Sequence, residues 1–161
     1  PGHILHFDFG VKEEGYCADL QRIVYFPLKG ENEIPFPIIQ AFNTVRKAIQ
    51  STFEAIVPGK TGTEIDKIAR SIIVDAGYPE YMHATGHQLG QLAHDGGALI
   101  GPEWERYGKS PTMILEPGQV FTLELGIEVP EHGYVGLEED ILITETGAIY
   151  LSQPQTDILV L

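Results

Sequence analysis

Apolar positions along this chain follow two different periods, and the changes between them mark the elements. Near the start Ile4, His6 and Asp8 fall on one face and Leu5, Phe7 and Phe9 on the other, the two-residue period of a strand. Lys12-Glu13-Glu14-Gly15 predicts a turn, and residues 16–26, rich in β-branched and aromatic side chains, predict the returning strand. Pro27, Gly30, Pro35 and Pro37 then interrupt the chain. From Ile38 the apolar residues Ile38, Phe42, Val45, Ile49, Phe53 and Ile56 recur every three or four positions, an amphipathic helix stopped by Pro58-Gly59. Thr63 and Asp66 fit a capping box for a second helix, with Ile65, Ile68, Ala69, Ile72 and Ile73 as its buried stripe and Gly77 as its stop. Residues 78–119 carry no period. Two more strands, 119–129 and 134–144, are joined through Pro130-Glu131-His132-Gly133, and Thr146-Gly147 turns the chain into a short last strand over 148–152. Strand pairs flanking two helices predict an α+β fold, as a single domain over residues 1–161.

Composition narrows the classes. Hydrophobic residues at 43% and charged residues at 20% are globular values and exclude wholesale disorder. No apolar run approaches the ~20 residues of a membrane-spanning helix, and no basic flank followed by an apolar core marks a secretion signal. Ten Lys and Arg against 23 Asp and Glu give a net charge of -13, the wrong sign for binding nucleic acid or an anionic membrane. Cys17 is the single cysteine, which suits a reducing, cytoplasmic compartment. The first residue, Pro1, suggests a processed product or an excised piece.

The acidity has a pattern. If the first turn is centred between Glu13 and Glu14, Asp8 lies opposite Asp19 with Cβ atoms ~5 Å apart. A second hairpin centred on Glu131 pairs Glu124 with Glu138, although spacing alone does not separate Glu138 from Glu139. Like charges directly opposed in a sheet are destabilising, and burial raises the cost or forces protonation. No lysine or arginine is expected on either carboxylate face, so two divalent cations against four carboxylates are the economical compensation. Against this stands the plainer reading of acidic strand residues as a solvated face.

Histidines strengthen the metal reading. His87 stands in Thr85-Gly86-His87-Gln88-Leu89-Gly90, with His94 seven residues later and His83 four before. Carboxylates plus one imidazole form a hard, oxygen-rich set suited to Mn²⁺, Co²⁺ or Fe²⁺, with Zn²⁺ admissible. His3, His6 and His132 are read as structural or solvent residues, and Cys17 as a packing residue.

In order along the chain stand Asp8 in His6-Phe7-Asp8-Phe9-Gly10, Asp19 in Gly15-Tyr16-Cys17-Ala18-Asp19, Gly86-His87, Glu124 in Phe121-Thr122-Leu123-Glu124, and Glu138 in Leu137-Glu138-Glu139-Asp140. With Glu116-Pro117-Gly118 and Thr144-Glu145-Thr146-Gly147, this order resembles the pita-bread metallopeptidases: methionine aminopeptidase, Xaa-Pro aminopeptidase and prolidase. The resemblance implies a dinuclear metal centre held by Asp8, Asp19, His87, Glu124 and Glu138, and it selects Glu138 over Glu139. It implies that His94 lies beside the scissile peptide and that His83 marks the proline-specific branch. The implied activity is exopeptidase hydrolysis after an N-terminal residue, of Xaa-Pro type. On that resemblance the nucleophile would be a metal-bridging hydroxide, Glu124 would carry the proton, and His83 and His94 would hydrogen-bond the oxyanion or substrate carbonyl.

The match departs from the family at three places. Glu124-Leu125-Gly126 stands for Glu-Pro-Gly, His94-Asp95-Gly96-Gly97 for His-Glu-x-Pro, and Gly136 where proline-specific members often carry an arginine. Arg106 is a candidate replacement charge that the sequence does not place. The first ligand at residue eight implies a pita-bread domain without its first helices and strand, its C-terminal two-thirds. Such a piece leaves an apolar face for a second copy or for the missing N-terminal part. Alternative readings are a non-catalytic pita-bread peptide- or protein-binding module, a creatinase-like C–N hydrolase and a generic cation-binding domain; the full ligand set weighs against the first two.

Overall fold

Two long antiparallel hairpins and the two helices between them dominate the computed structural model, which describes residues 1–161. In chain order the elements are β1 (His3–Glu13), β2 (Tyr16–Phe26), α1 (Phe36–Ala55), α2 (Gly62–Asp75), β3 (Gly86–His87), β4 (Leu99–Ile100), β5 (Val120–Val129), β6 (Gly133–Ile143), β7 (Ala148–Tyr150) and β8 (Leu159–Val160). The main sheet runs β1-β2-β6-β5, with β7 on β6 and β8 parallel to β2; β3 and β4 form a separate pair. Strand β8 carries no alternation long enough to be read from sequence, and the strand expected over 148–152 ends at Tyr150.

The first turn lies one residue beyond its predicted centre. Glu14 and Gly15 both adopt positive φ, 50° and 92°, the conformation of a tight two-residue hairpin turn. Asp8 therefore faces Gln21, and Asp19 faces Gly10, so the two aspartates are diagonal neighbours instead of a directly opposed pair. Moving a turn centre by one residue moves the pairing by two, so both aspartates keep the same face. Strand β1 also extends through the expected turn, which puts Lys12 on the carboxylate face where no cation was expected. Its ammonium is engaged by the Gln91 carbonyl at 2.7 Å. The second hairpin has the expected register, Glu124 facing Glu138.

Helix α1 begins at Phe36, two residues before the periodic stretch, because Pro35 and Pro37 sit where their missing N–H groups are not needed. The capping box of α2 is Thr61 with Glu64, not Thr63 with Asp66. The Glu64 carboxylate accepts from the Thr61 N–H at 2.8 Å. Thr63 instead donates to the Gly101 carbonyl at 3.1 Å, and Asp66 turns inward to bind Arg70. Both pairs have the spacing of a box; the close approach of Gly62 to the Leu99 carbonyl, where a Cβ would stand 1.9 Å away, accompanies the earlier helix start.

One cluster of 25 buried hydrophobic residues forms the core. Phe121, Leu123, Leu125 and Ile127 of β5 and Val135, Leu137 and Ile141 of β6 pack toward Ile38, Val45, Ile49, Ile65 and Ile73 of the helices. Alternation then sends the intervening residues of β5 and β6, among them Glu124 and Glu138, to the opposite side of the sheet. On β1 the expected apolar row stays uncovered: Leu5, Phe7, Phe9 and Val11 are 40%, 43%, 49% and 65% exposed. Replacing Thr61 by Ala is expected to lower the unfolding free energy by about 1 kcal/mol. An unchanged urea midpoint would contradict its role as the cap.

Candidate metal centre

The two hairpins meet at a single β2–β6 pair, Gln21 opposite Glu138. This seam brings the aspartates of β1 and β2 to the same side as the glutamates of β5 and β6. The fifth group arrives on β3. Residues 85–89 run beside β5, held by Glu124 N–H to the Thr85 carbonyl at 2.7 Å, His87 N–H to the Thr122 hydroxyl at 3.2 Å and Leu89 N–H to the Val120 carbonyl at 3.0 Å. Gly86 permits this approach, since a Cβ there would lie 1.9 Å from the Thr122 carbonyl oxygen. The start of the segment is anchored to α2, where the buried Asp66 accepts from both Arg70 and Thr85. Its far side is tied to the first hairpin by Cys17 N–H to the Gly90 carbonyl at 2.7 Å.

Around His87 Nε2 stand three carboxylate oxygens: Glu138 Oε1 at 3.7 Å, Glu124 Oε1 at 3.9 Å and Asp19 Oδ2 at 4.0 Å. Asp19, His87 and Glu138 each present an atom within 4.8 Å of the others. Asp8 shares their face but is exposed on β1, outside that group of three. Glu139 points away, to Arg22 at 2.9 Å and to the Gln155 N–H at 3.0 Å, so Glu138 alone of the two joins the cluster.

Electrostatics here is severe. Burial, reinforced by the charges of Glu124 and Asp19, pushes the Glu138 carboxyl up to about 9. Burial raises Glu124 to about 7, with the hydrogen bond from Gln21 opposing the shift. Asp19 is raised by burial and then by Asp8, and burial lowers the His87 imidazole. Glu138 Oε1 is fully buried with no hydrogen-bond partner. The separations of 3.7 to 4.0 Å are too long for hydrogen bonds, and they exceed by only a few tenths of an ångström the spacing of about 3.3 Å between donors that share a tetrahedral ion at about 2 Å each. Three carboxylates, one of them with an orphaned oxygen, and one imidazole thus fit a divalent cation.

The other expected residues line two flanking cavities. His94 stacks on His87 with centroids 4.1 Å apart, and both line a cavity of about 240 Å³ together with Arg106. Arg106 is held over Trp104 and Tyr107 at 4.6 and 4.8 Å. His83 lines the other cavity, about 310 Å³, with Tyr78, Tyr81 and Tyr134; its ring makes no hydrogen bond with the cluster. Gly136 is opposite Gly126, and Tyr134 folds across this pair. A Cβ at Gly136 would lie 2.6 Å from His6 Nε2 and 2.8 Å from Gln21 Oε1, so an arginine there would have to displace the side chains that occupy this place. His6, read from sequence as a structural or solvent residue, hydrogen-bonds Gln21 at 2.9 Å beside the glutamates. Gln21 itself was not anticipated; its position two residues after Asp19, on the same face, was the available signal.

Residues 1–145 match the family model described as metallopeptidase family M24. An uncharacterized peptidase of Staphylococcus epidermidis is 39% identical over 150 residues, covering 91% of this chain and 38% of that protein. Among solved structures, a dipeptidase from Pyrococcus horikoshii OT3 superposes with a TM-score of 0.83 at 33% identity, over 98% of this chain and 41% of its own. An Xaa-Pro dipeptidase from Bacillus anthracis gives a TM-score of 0.83 at 30% identity, with 98% and 41% covered. The chain thus spans about two-fifths of the length of these relatives and corresponds to the C-terminal part of the catalytic domain. The fold is the pita-bread fold, α+β as expected. With the family model matched over most of its length, the chain belongs to metallopeptidase family M24.

Proposed function

We propose that this chain supplies the metal-binding part of a dinuclear exopeptidase that cleaves the peptide bond after an N-terminal residue, of Xaa-Pro type. The observation that carries the reading is Glu138 Oε1, buried without a partner 3.7 Å from His87 Nε2 and flanked by two more carboxylates. Asp8, Asp19, His87, Glu124 and Glu138 would hold two divalent ions, Mn²⁺ or Co²⁺ by the hardness of the donors, with Zn²⁺ or Fe²⁺ as the alternatives. Such ions supply Lewis acidity toward the peptide carbonyl and acidify water.

The protein's own groups perform the rest. Glu124, placed among the ligands beside His87, takes a proton and returns it to the leaving nitrogen. His94, on the rim of one cavity, and His83, in the other, hydrogen-bond the substrate carbonyl or the oxyanion. Tyr78, Tyr81 and Tyr134 give the His83 cavity apolar walls suited to a proline ring. Structural neighbours of that class, among them the Xaa-Pro dipeptidase and an X-Pro aminopeptidase from Thermotoga maritima, support the substrate class. As part of the same reading, residues 1–161 form one unit of a larger catalytic domain, and the exposed Leu5, Phe7, Phe9 and Val11 are covered by another part of that domain or a second copy. No helix is long and apolar enough to cross a membrane.

In the full-length protein, Mn²⁺ or Co²⁺ is expected to stimulate release of the first residue from Xaa-Pro peptides. Asp19→Asn and His87→Ala are expected to abolish metal loading and hydrolysis, and Glu124→Gln to reduce kcat by ~10²-fold or more. Full activity in an Asp19→Asn variant, or no metal-dependent peptidase activity in the parent, would refute the assignment.

The raised carboxyls also set a pH dependence. Folded Glu124 and Glu138 keep protons up to about 7 and about 9, whereas the unfolded chain releases them near 4.5. Metal-free protein therefore loses stability as pH rises from about 5 to about 9, and because the ion displaces those protons, stabilisation by Mn²⁺ grows over the same range. Thermal melts with EDTA and with Mn²⁺ test this; parallel, flat profiles would exclude it.

A further inference from the structure

Gln21 occupies an unusual position. Its backbone forms the single β2–β6 pair, opposite Glu138, so it sits at the join between the two ligand-bearing hairpins. Its side chain lies between the two glutamates. Nε2 donates to Glu138 Oε2 at 2.9 Å and to Glu124 Oε2 at 3.1 Å, one hydrogen for each. The other oxygens, Oε1 of both glutamates, are those that face His87. One amide thus divides each carboxylate into a restrained oxygen and one presented to the cluster.

With both glutamates ionised, as ligands to a cation are, the amide can point only one way: turned over, its Oε1 would face two carboxylate oxygens with no hydrogen to offer. In the observed orientation Oε1 lies 2.9 Å from His6 Nε2, which makes that nitrogen the donor. His6 is held in turn by Tyr134, whose ring meets it edge-on at 5.3 Å and 74°. Tyr134 can lie there because Gly126 and Gly136 are directly opposed and leave the sheet surface bare. Each strand of the two hairpins therefore contributes to aiming the glutamates.

We infer that Gln21 is a positioning residue of the metal site, with His6 fixing the orientation of its amide, and that together they direct Glu124 Oε1 and Glu138 Oε1 toward the bound ion. This rests on the proposed metal reading. Loss of such an outer hydrogen-bond partner typically lowers metal affinity ~10- to 100-fold.

The test is Mn²⁺ titration by calorimetry on the full-length protein, alongside metal-free melting curves. Gln21→Met keeps the length and volume but removes both donors; His6→Phe keeps the contact with Tyr134 but removes the ring nitrogen. Gln21→Met is expected to weaken Mn²⁺ binding by ~10-fold or more. His6→Phe should weaken it less, and should have no further effect in the Gln21→Met background, because it acts through the amide. A merely structural role would lower the metal-free melting temperature and leave affinity unchanged. Unchanged Mn²⁺ affinity in Gln21→Met, or full additivity with His6→Phe, overturns the assignment while leaving the metal centre standing. If Gln21→Met does not fold, His6→Phe alone decides, with unchanged affinity counting against the relay. Absence of Mn²⁺ binding in the parent would bring down both readings.

Discussion

Everything around this site is arranged to hold negative charge where the sheet would otherwise expel it. Glu124 and Glu138 are directly opposed on neighbouring strands, and Asp19 lies close enough to raise the Glu138 carboxyl further. Neighbouring positive charges are engaged elsewhere: Arg22 on Glu139, Arg70 on Asp66, Lys12 on the Gln91 carbonyl and Arg106 over Trp104 and Tyr107. Neutral donors restrain the cluster but do not cancel its charge. Protons or an ion must supply the compensation, and the orphaned Glu138 Oε1 marks where the demand is greatest.

The same constraint explains the economy of the surrounding fold. Packing on the helices fixes one face of β5 and β6, and strand alternation then obliges the opposite face to carry the functional groups. The loop bearing His87 is pinned from both sides, by Asp66 and Arg70 of α2 and by the backbone of Cys17, so its imidazole is delivered without a helix or long strand of its own. Glycines appear where the backbone must come close, at Gly86 against β5 and at the Gly126–Gly136 pair under Tyr134.

Much of this was legible beforehand. The alternation of β1, β5 and β6, the apolar stripes of both helices and the register of the second hairpin follow from local periodicity, and the Glu124–Glu138 pair follows from that register. Errors arose where two local solutions were equally good. Thr61–Glu64 and Thr63–Asp66 have the same spacing, and only the tertiary partners of Thr63 and Asp66, Gly101 and Arg70, break the tie. The first turn slipped by one residue because Glu14 adopts a left-handed backbone usually left to Gly or Asn. That slip preserved the face of Asp8 and Asp19 but concealed Gln21, the true partner of Asp8.

By itself, then, the sequence determined which residues are acidic and which share a face, because side-chain direction in a strand depends only on parity; a cation and a solvated face both remained open as readings of that set. Tertiary structure decided which of them meet. The single β2–β6 pair, the delivery of His87 across β5, the withdrawal of Glu139 toward Arg22 and the placement of Arg106 beside His94 all join residues far apart in the chain. Contacts of that kind depend on how separate elements pack in space, which no local period records.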